Sequence, residues 1–282
     1  MTSLKNQEEQ PTFIFIDGSY FCFYRFYALV NWWKRAYPEE ILENPIDNAI
    51  FKEKFKKTFI EHVQEIPKKL GLDKNKKIMM IAGKDCERKN IWRNELFPKY
   101  KANRVYDEGF KGGPFFKLVY EEQLFQQGGV QDILSHPRLE ADDCIAICVK
   151  QTREKYPESM IYVITSDRDY LQLQSENVKI MNLMYKNIAE AKTSTGNAET
   201  DIRIKIIMGD SSDNIPSVFP KCGFKTALKC CMDQAYFEKK MAGNTEYYDQ
   251  YNLNETLVHF NKIPKDLAEE FTASLEKKNY VV

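Results

Sequence analysis

Five short acidic groups punctuate the chain: Asp17; Asp85; Glu140 with Asp142 and Asp143; Asp167 with Asp169; and Asp210 with Asp213, the last pair inside Gly209–Asn214. Taken singly, each has a plain reading. Glu140, Asp142 and Asp143 suit the first turn of a helix, where acids complement the helix dipole. Asp17 suits a turn before Gly18, Asp167 and Asp169 suit a loop or helix cap, and Asp210 and Asp213 suit an Asx turn. Together they read differently. Carboxylates brought to one place repel one another unless cations neutralise them. Mg²⁺ takes roughly one or two carboxylates directly and keeps several waters, so nine such acids suit two hydrated ions. Two ions about 4 Å apart can activate a water and stabilise the leaving oxygen of a phosphodiester. Cys144 with Cys148, and Cys230 with Cys231, lack the histidines or second cysteine pair at the spacing zinc requires. Hard oxygen donors remain as the chemistry on offer.

These acids can act together only if the fold gathers them. Thr12–Asp17 is a short β-branched and aromatic run, read as a buried strand that ends on an aspartate. An aromatic helix follows over 20–35, then a lysine-rich amphipathic helix over 46–70. Residues 77–82 form a second strand ending at Gly83-Lys84-Asp85. Residues 139–156 have helical period, 160–165 form a third strand that again runs into aspartate, and 178–182 a fourth. From Thr200 onward the pattern is helical. Strands alternating with helices imply an α/β fold with a central, mostly parallel sheet flanked by helices. In such sheets the ligand crevice lies outside the carboxyl ends of the strands. Asp17, Asp85, Asp167 and Asp169 then share one rim, and Glu140 and Asp143, at i and i+3, share one helix face.

The chain has 282 residues, is 43% hydrophobic and 13% aromatic, and balances 41 basic against 41 acidic residues. Bulk charge therefore announces no nucleic-acid partner, and its distribution is more telling than its sum. Between Lys84 and Arg104 stand seven basic residues (Lys84, Arg88, Lys89, Arg93, Lys99, Lys101, Arg104) against three acids, a basic track beside an acidic pocket. Seven scattered cysteines and a polar start without an apolar signal core predict a non-secreted, intracellular protein. No run approaches the roughly 20 apolar residues of a membrane span. Cys144 and Cys148 are read as one face of a buried helix.

Six motifs, in order, resemble those of the metal-dependent 5′ nucleases, the superfamily of flap endonucleases and 5′→3′ exonucleases. They are Phe15-Ile-Asp-Gly-Ser19, Glu95-Leu-Phe-Pro-Lys-Tyr-Lys-Ala-Asn-Arg104, Leu139-Glu-Ala-Asp-Asp143, Thr165-Ser-Asp-Arg-Asp169, Ile207-Met-Gly-Asp-Ser-Ser-Asp-Asn-Ile-Pro216 and Gly223-Phe-Lys-Thr-Ala-Leu228. The resemblance implies a PIN-like 5′-nuclease catalytic domain over 12–200. Over 201–282 it implies a helical DNA-binding region, with a helix–three-turn–helix module around 201–231 and C-terminal helices packed on the core. It also implies roles. Asp17, Asp85, Glu140, Asp142 and Asp143 correspond to a first metal's carboxylate set. Asp167, Asp169, Asp210 and Asp213 correspond to a second set, partly through water. The metals implied are two Mg²⁺ ions, for which Mn²⁺ can substitute. Lys101 and Arg104 match basic residues that steer and polarise the scissile phosphate. Lys84 and Arg88 are alternative holders of a neighbouring basic role, because Gly83–Lys89 is one residue longer than the usual spacing.

Further expectations attach to binding. Gly223, Lys225 and Thr226 match the helix–hairpin turn that holds duplex DNA and a K⁺ ion. Lys221-Cys-Gly223 leaves one glycine where the family usually has two, and it follows one additional residue. Tyr20, Tyr24 and Arg25 follow the first motif, where contact with the terminal nucleotide and burial of an aromatic helix are equally open. Residues 104–125, with Tyr106, Phe110, Lys111, Gly112, Gly113, Phe115, Phe116 and Lys117, sit where the family carries a helical arch or clamp over the 5′ strand. Interleaved aromatics and lysines suit single-stranded nucleic acid, and the glycines suggest a loop ordered by substrate; the alternative is a surface loop with two or three aromatics tucked into the core. The expected activity is structure-dependent 5′ nuclease action in replication or repair on DNA with 5′ ends, flaps or nicks, extending to RNA–DNA hybrid, by a monomer. A PIN-like ribonuclease and a nuclease-dead branched-DNA scaffold are the competing classes. Sequence assigns no site within 232–282 and no recruiting partner.

Overall fold

A computed structural model describes residues 10–73, 75–104, 109–191 and 194–277. Five strands, β1 (Thr12–Asp17), β2 (Ile78–Gly83), β3 (Asp132–Leu134), β4 (Ile161–Ile164) and β5 (Val178–Met181), form one sheet in the order β3-β2-β1-β4-β5. Every pairing is parallel. Register then decides where the acids go. Asp17 pairs with Gly83 and Ile16 with Ile164, so β1, β2 and β4 release their following turns at one carboxyl rim.

Alternation along β1 builds two cores. Ile14 and Ile16 face helices α1 (Gly18–Ala36) and α2 (Ala49–Lys69). Phe13 and Phe15 face the opposite layer. Burying each of these side chains completely is worth about 1.5–3 kcal/mol, so the alternation fixes strand register strongly. Three short helices follow β2: α3 (Arg93–Leu96), α4 (Gly113–Glu121) and α5 (Leu124–Gln127). Helix α6 (Ala141–Lys155) buries Cys144, Cys148 and Val149 against the sheet, as the cysteine spacing predicts. Beyond β5 come α7 (Ala198–Met208), α8 (Phe224–Met232), α9 (Gln234–Met241), α10 (Thr245–Val258) and α11 (Lys265–Lys277). Helices α7 to α10 share a small core of their own around Ile207, Phe219, Ala227 and Cys230. Helix α11 returns to the sheet and packs Leu267, Phe271 and Leu275 beneath Phe13 and Phe15. Among the described residues no helix is long and apolar enough to cross a membrane.

The structure departs from the expectations in two places. Strand β3 was not foreseen: at three residues it is too short to show a period. The reading of 104–125 as a glycine-loosened loop is corrected for residues 109–125. Gly113–Glu121 is helical, and Phe115 and Val119 are buried in the core beside Phe26 and Phe51. Phe110 and Phe116 pack on Phe23. Pro114 near the helix start supplies the fixed φ that a first turn tolerates, and the apolar stripe outweighs the two glycines. Tyr106 lies outside the described residues, as does Lys278–Val282 of the C-terminal segment.

Candidate active site

A cleft of about 550 Å³ opens at the carboxyl rim, lined by Asp17, Asp85, Glu140, Asp142, Asp167, Asp169 and Asp210 among others. Turns after β1, β2, β4 and α7, with the start of α6, deliver these acids, and local sequence explains their positions. Asp17 ends β1 and caps α1, accepting from Tyr20 N at 3.0 Å and from Thr165 Oγ1 at 3.0 Å. Gly18 follows because a Cβ there would lie 2.3 Å from the Gly83 carbonyl oxygen. Asp85 accepts from Ser19 Oγ at 2.5 Å and from Ala141 N, at the start of α6, at 2.9 Å. Asp167 caps the short 3₁₀ turn Arg168–Leu173 by accepting from Asp169 N at 2.9 Å. Asp210 sits just past α7 in a tight loop closed by reciprocal backbone bonds with Ile215. Gly209 makes that loop possible: its φ is +74°, and a Cβ would lie 2.4 Å from the Ile215 carbonyl oxygen.

The cations are not spread evenly. Arg93 is buried at 2% exposure below the cleft. Its guanidinium donates to both oxygens of Asp143 at 2.7 and 2.8 Å, to Glu140 at 3.0 Å and to the Leu257 carbonyl at 2.7 Å. Asp143 also accepts from Trp92 Nε1 at 3.0 Å and from Glu140 N at 3.2 Å. Lys101 Nζ lies 2.5 Å from Glu140 Oε1 and 3.8 Å from Asp213 Oδ2, and Arg104 is paired with Asp213. Lys205, on α7, bridges Asp169 and Asp210, the latter at 2.7 Å. By contrast, the hydrogen bonds accepted by Asp17, Asp85 and Asp142 come from neutral donors.

Proton affinities follow each acid's own neighbours. Burial, then the charges of Asp85 and Asp167, push Asp17 up to about 7. Burial and the neighbouring Asp143 and Glu140 push Asp142 well above the usual carboxylate range. Burial and Asp169 raise Asp167 to about 6, against the pull of Lys205. Burial also opposes ionisation of Glu140, but Lys101 and Arg93 outweigh it and hold the carboxyl low. Asp210, likewise desolvated, is held at about 2 by Lys205. Asp17, Asp142 and Asp167 are therefore left under-compensated, a setting that favours a divalent cation bound by oxygen donors. Carboxylate oxygens of Glu140, Asp142 and Asp143 lie within 4.8 Å of one another.

The structure gathers most of the candidates and sets others apart. Asp143 and Asp213 do not line the cleft; Arg93 and Trp92 hold the first from behind, and Arg104 and Tyr100 hold the second. Lys101 and Arg104 do line it. Their segment docks on the Asp210 loop: Lys101 N donates to the Asp213 carbonyl at 2.8 Å, Asn103 to Ser211 at 2.5 Å and Asn214 to Lys99 at 2.7 Å. Lys84 lies over the Tyr120 ring at 4.6 Å, and Arg88 donates to the Arg104 carbonyl. Arg25 lines a separate pocket between α1 and α2 with His62, Glu65 and Tyr185. Tyr20 lines the cleft, and its hydroxyl accepts from Leu183 N at 3.1 Å. Gly223 caps α8 without a side-chain hydrogen bond, and Lys225 is exposed on that helix's first turn. Sequence reasoning did not single out Arg93, Ser19, Thr165 or Lys205. A signal for Lys205 existed: it stands between isoleucines 204 and 206 in a helix, and a lysine in such company needs a partner.

Residues 12–202 match the family model of the 5′-3′ exonuclease, N-terminal resolvase-like domain. The 5′-3′ exonuclease of Buchnera aphidicola subsp. Schizaphis graminum is 28% identical over 274 residues, covering 95% of this chain and 80% of that one. Ribonuclease H of Enterobacteria phage T4 is 28% identical over 252 residues, covering 80% of each. Among solved structures, the bacteriophage T5 flap endonuclease in a pseudo-enzyme–product complex with DNA and metal ions superposes with a TM-score of 0.63 at 16% identity. That superposition covers 94% of this chain and 98% of the phage protein, a likeness of fold.

Proposed function

The chain belongs to the 5′-3′ exonuclease family whose N-terminal resolvase-like domain it matches, and from that premise we propose a structure-dependent 5′ nuclease that needs Mg²⁺, with Mn²⁺ as substitute. The observation that carries this reading is the under-compensated carboxylate cleft at the carboxyl rim. Residues 12–200 act as the catalytic domain and 201–282 as the helical DNA-binding region, although α11 serves the sheet rather than the substrate.

In this reading Asp17, Asp85, Glu140 and Asp142 hold one divalent ion, and Asp167, Asp169 and Asp210 hold another, partly through water. Asp143 and Asp213 set the charge and position of Arg93 and Arg104 behind them. When bound, the two ions would supply an activated water and charge stabilisation at the leaving oxygen. The water oxygen bonds to phosphorus, the bond from phosphorus to the 3′ oxygen breaks, and that oxygen takes up a proton. The chain's own cations do the steering. Lys101 and Arg104, tied to Glu140 and Asp213 before DNA arrives, present ammonium and guanidinium donors to the scissile phosphate as its charge spreads.

Contacts to phosphates would give position with little base preference. The uncapped start of α8, with Gly223, Lys225 and Thr226, is assigned to a duplex phosphate and to the neighbouring K⁺ ion. Arg25, Arg88 and Lys84 are assigned to the path of the strand outside the cleft. The phage T4 relative is a ribonuclease H, which supports counting RNA–DNA hybrid among the substrates. We assign the enzyme to an intracellular compartment as a monomer.

The test is cleavage by the purified chain of a 5′-flap DNA, a nicked duplex and an RNA–DNA hybrid, with Mg²⁺ or with EDTA. Cleavage of at least one substrate, lost in EDTA and restored by Mg²⁺ or Mn²⁺, is expected. No cleavage of any, or cleavage that survives EDTA, overturns the proposal.

A further inference from the structure

The two halves of the cleft differ in where their cations stand: Lys101 holds Glu140 at the edge of one, and Lys205 bridges two carboxylates of the other. Around Asp17, Asp85 and Asp142 the donors are neutral. Between Asp169 and Asp210 stands an ammonium group. Lys205 extends from α7, where Ile204, Ile206 and Ile207 are all buried, and its side chain is only 18% exposed. Its Nζ lies 2.7 Å from Asp210 and hydrogen-bonds to Asp169, so it joins the turn after β4 to the loop after α7. That is the space between the two carboxylates, where a cation shared by both would sit.

We infer that Lys205 is a resident counter-cation that competes with the second divalent ion for Asp169 and Asp210, and so sets how tightly that ion is held. The inference rests on the two-cation reading above. An ammonium and a divalent ion cannot both occupy the gap between two carboxylates. Like charges at that separation repel strongly in a partly dry cleft. The ion must displace Lys205, and its net affinity is lowered by what the lysine loses. In the first half Lys101 pairs with Glu140 at its edge, and among the described residues no ammonium bridges Asp17, Asp85 and Asp142. The chain should therefore hold one divalent ion firmly and a second weakly, and the cleft keeps its shape before the second arrives because Lys205 already neutralises part of Asp169 and Asp210.

Mn²⁺ binding without DNA, followed by calorimetry and by the electron paramagnetic resonance of free Mn²⁺, tests this on the wild-type chain and on Lys205→Met. Expected are two unequal sites in the wild type. In the variant the weaker should tighten about tenfold or more, with the tighter site unchanged. Two sites with both constants unchanged would overturn the role of Lys205 and leave the two-cation reading standing. A single ion in both proteins would overturn that reading and this inference with it. Should Lys205→Met fail to fold without metal, Lys205→Gln removes the charge while keeping a hydrogen-bond donor, and the same shift is expected. In the wild type itself, acetylation of Lys205 by acetic anhydride, read by mass spectrometry, should rise several-fold once Mn²⁺ fills the weaker site. Labelling indifferent to Mn²⁺ would overturn the proposal.

Discussion

Arg93 is the residue on which the acidic rim depends before any metal arrives. It makes four hydrogen bonds, two to the Asp143 carboxylate, one to Glu140 and one to a carbonyl from α10. A buried ion pair of this kind contributes little net stability over an apolar substitute, yet removing one partner strands the other. Arg93→Leu strands Asp143, which has no exposed surface, while Glu140 keeps Lys101 and Tyr100. A loss of about 3–5 kcal/mol is expected in urea unfolding. Mg²⁺ should recover only part of it, because Asp143 does not line the cleft. A loss under about 1 kcal/mol would show that the carboxylates find other partners. Composition placed Arg93 in a basic track; only the fold turns it inward, beneath the site.

At the scale of elements, α8 carries the docking claim. Its first turn is uncapped by any side chain, and Lys225 projects from it into solvent. Lys225→Ala should weaken duplex binding uniformly across sequences and lower the salt slope of affinity by about one. Fluorescence anisotropy over a KCl series measures this, with turnover at saturating DNA as the control. An unchanged slope would remove α8 from the duplex interface. What could be read in the chain beforehand follows the same scale. Strands β1, β2 and β4 were legible because each is an apolar run that leads into Gly or Asp, β5 because a short run of Val178, Ile180 and Met181 stands between asparagines, and the convergence of Asp17, Asp85 and Asp167 followed from parallel pairing alone. Strand β3 is too short to carry a period. The helix at Gly113–Glu121 was masked by Gly112 and Gly113, which fall at its N-cap and first position, where glycine costs little, ahead of the buried Phe115 and Val119. The inward turn of Arg93 and Asp143 was not legible, since it depends on which helix faces which.

For the whole molecule, the cleft couples stability to pH and to metal. Without metal, folded Asp17 and Asp167 hold protons to about pH 7 and about pH 6, whereas unfolded aspartates release them near about pH 4. The folded chain thus binds more protons across that window, and its stability falls as pH rises through it. Asp210, held at about 2, acts in the opposite sense, but only below about pH 4. In EDTA the melting temperature should therefore drop by a few degrees between about pH 5 and about pH 7.5. Saturating Mg²⁺ should raise it most at the upper end, where the carboxylates are free of protons. A melting temperature that climbs with pH in EDTA would contradict the assignment of buried, under-compensated acids. The mutual docking of the Lys99–Arg104 segment and the Asp210 loop has a consequence in time. A chain leaves the ribosome at about 5–20 residues per second. Until Asp210 and its loop emerge, Lys101 has no Asp213 carbonyl to fix it and the rim lacks its last wall. For those seconds the nascent enzyme is unarmed, and it acquires the means to cut nucleic acid only after the strands that restrain the cleft have been made.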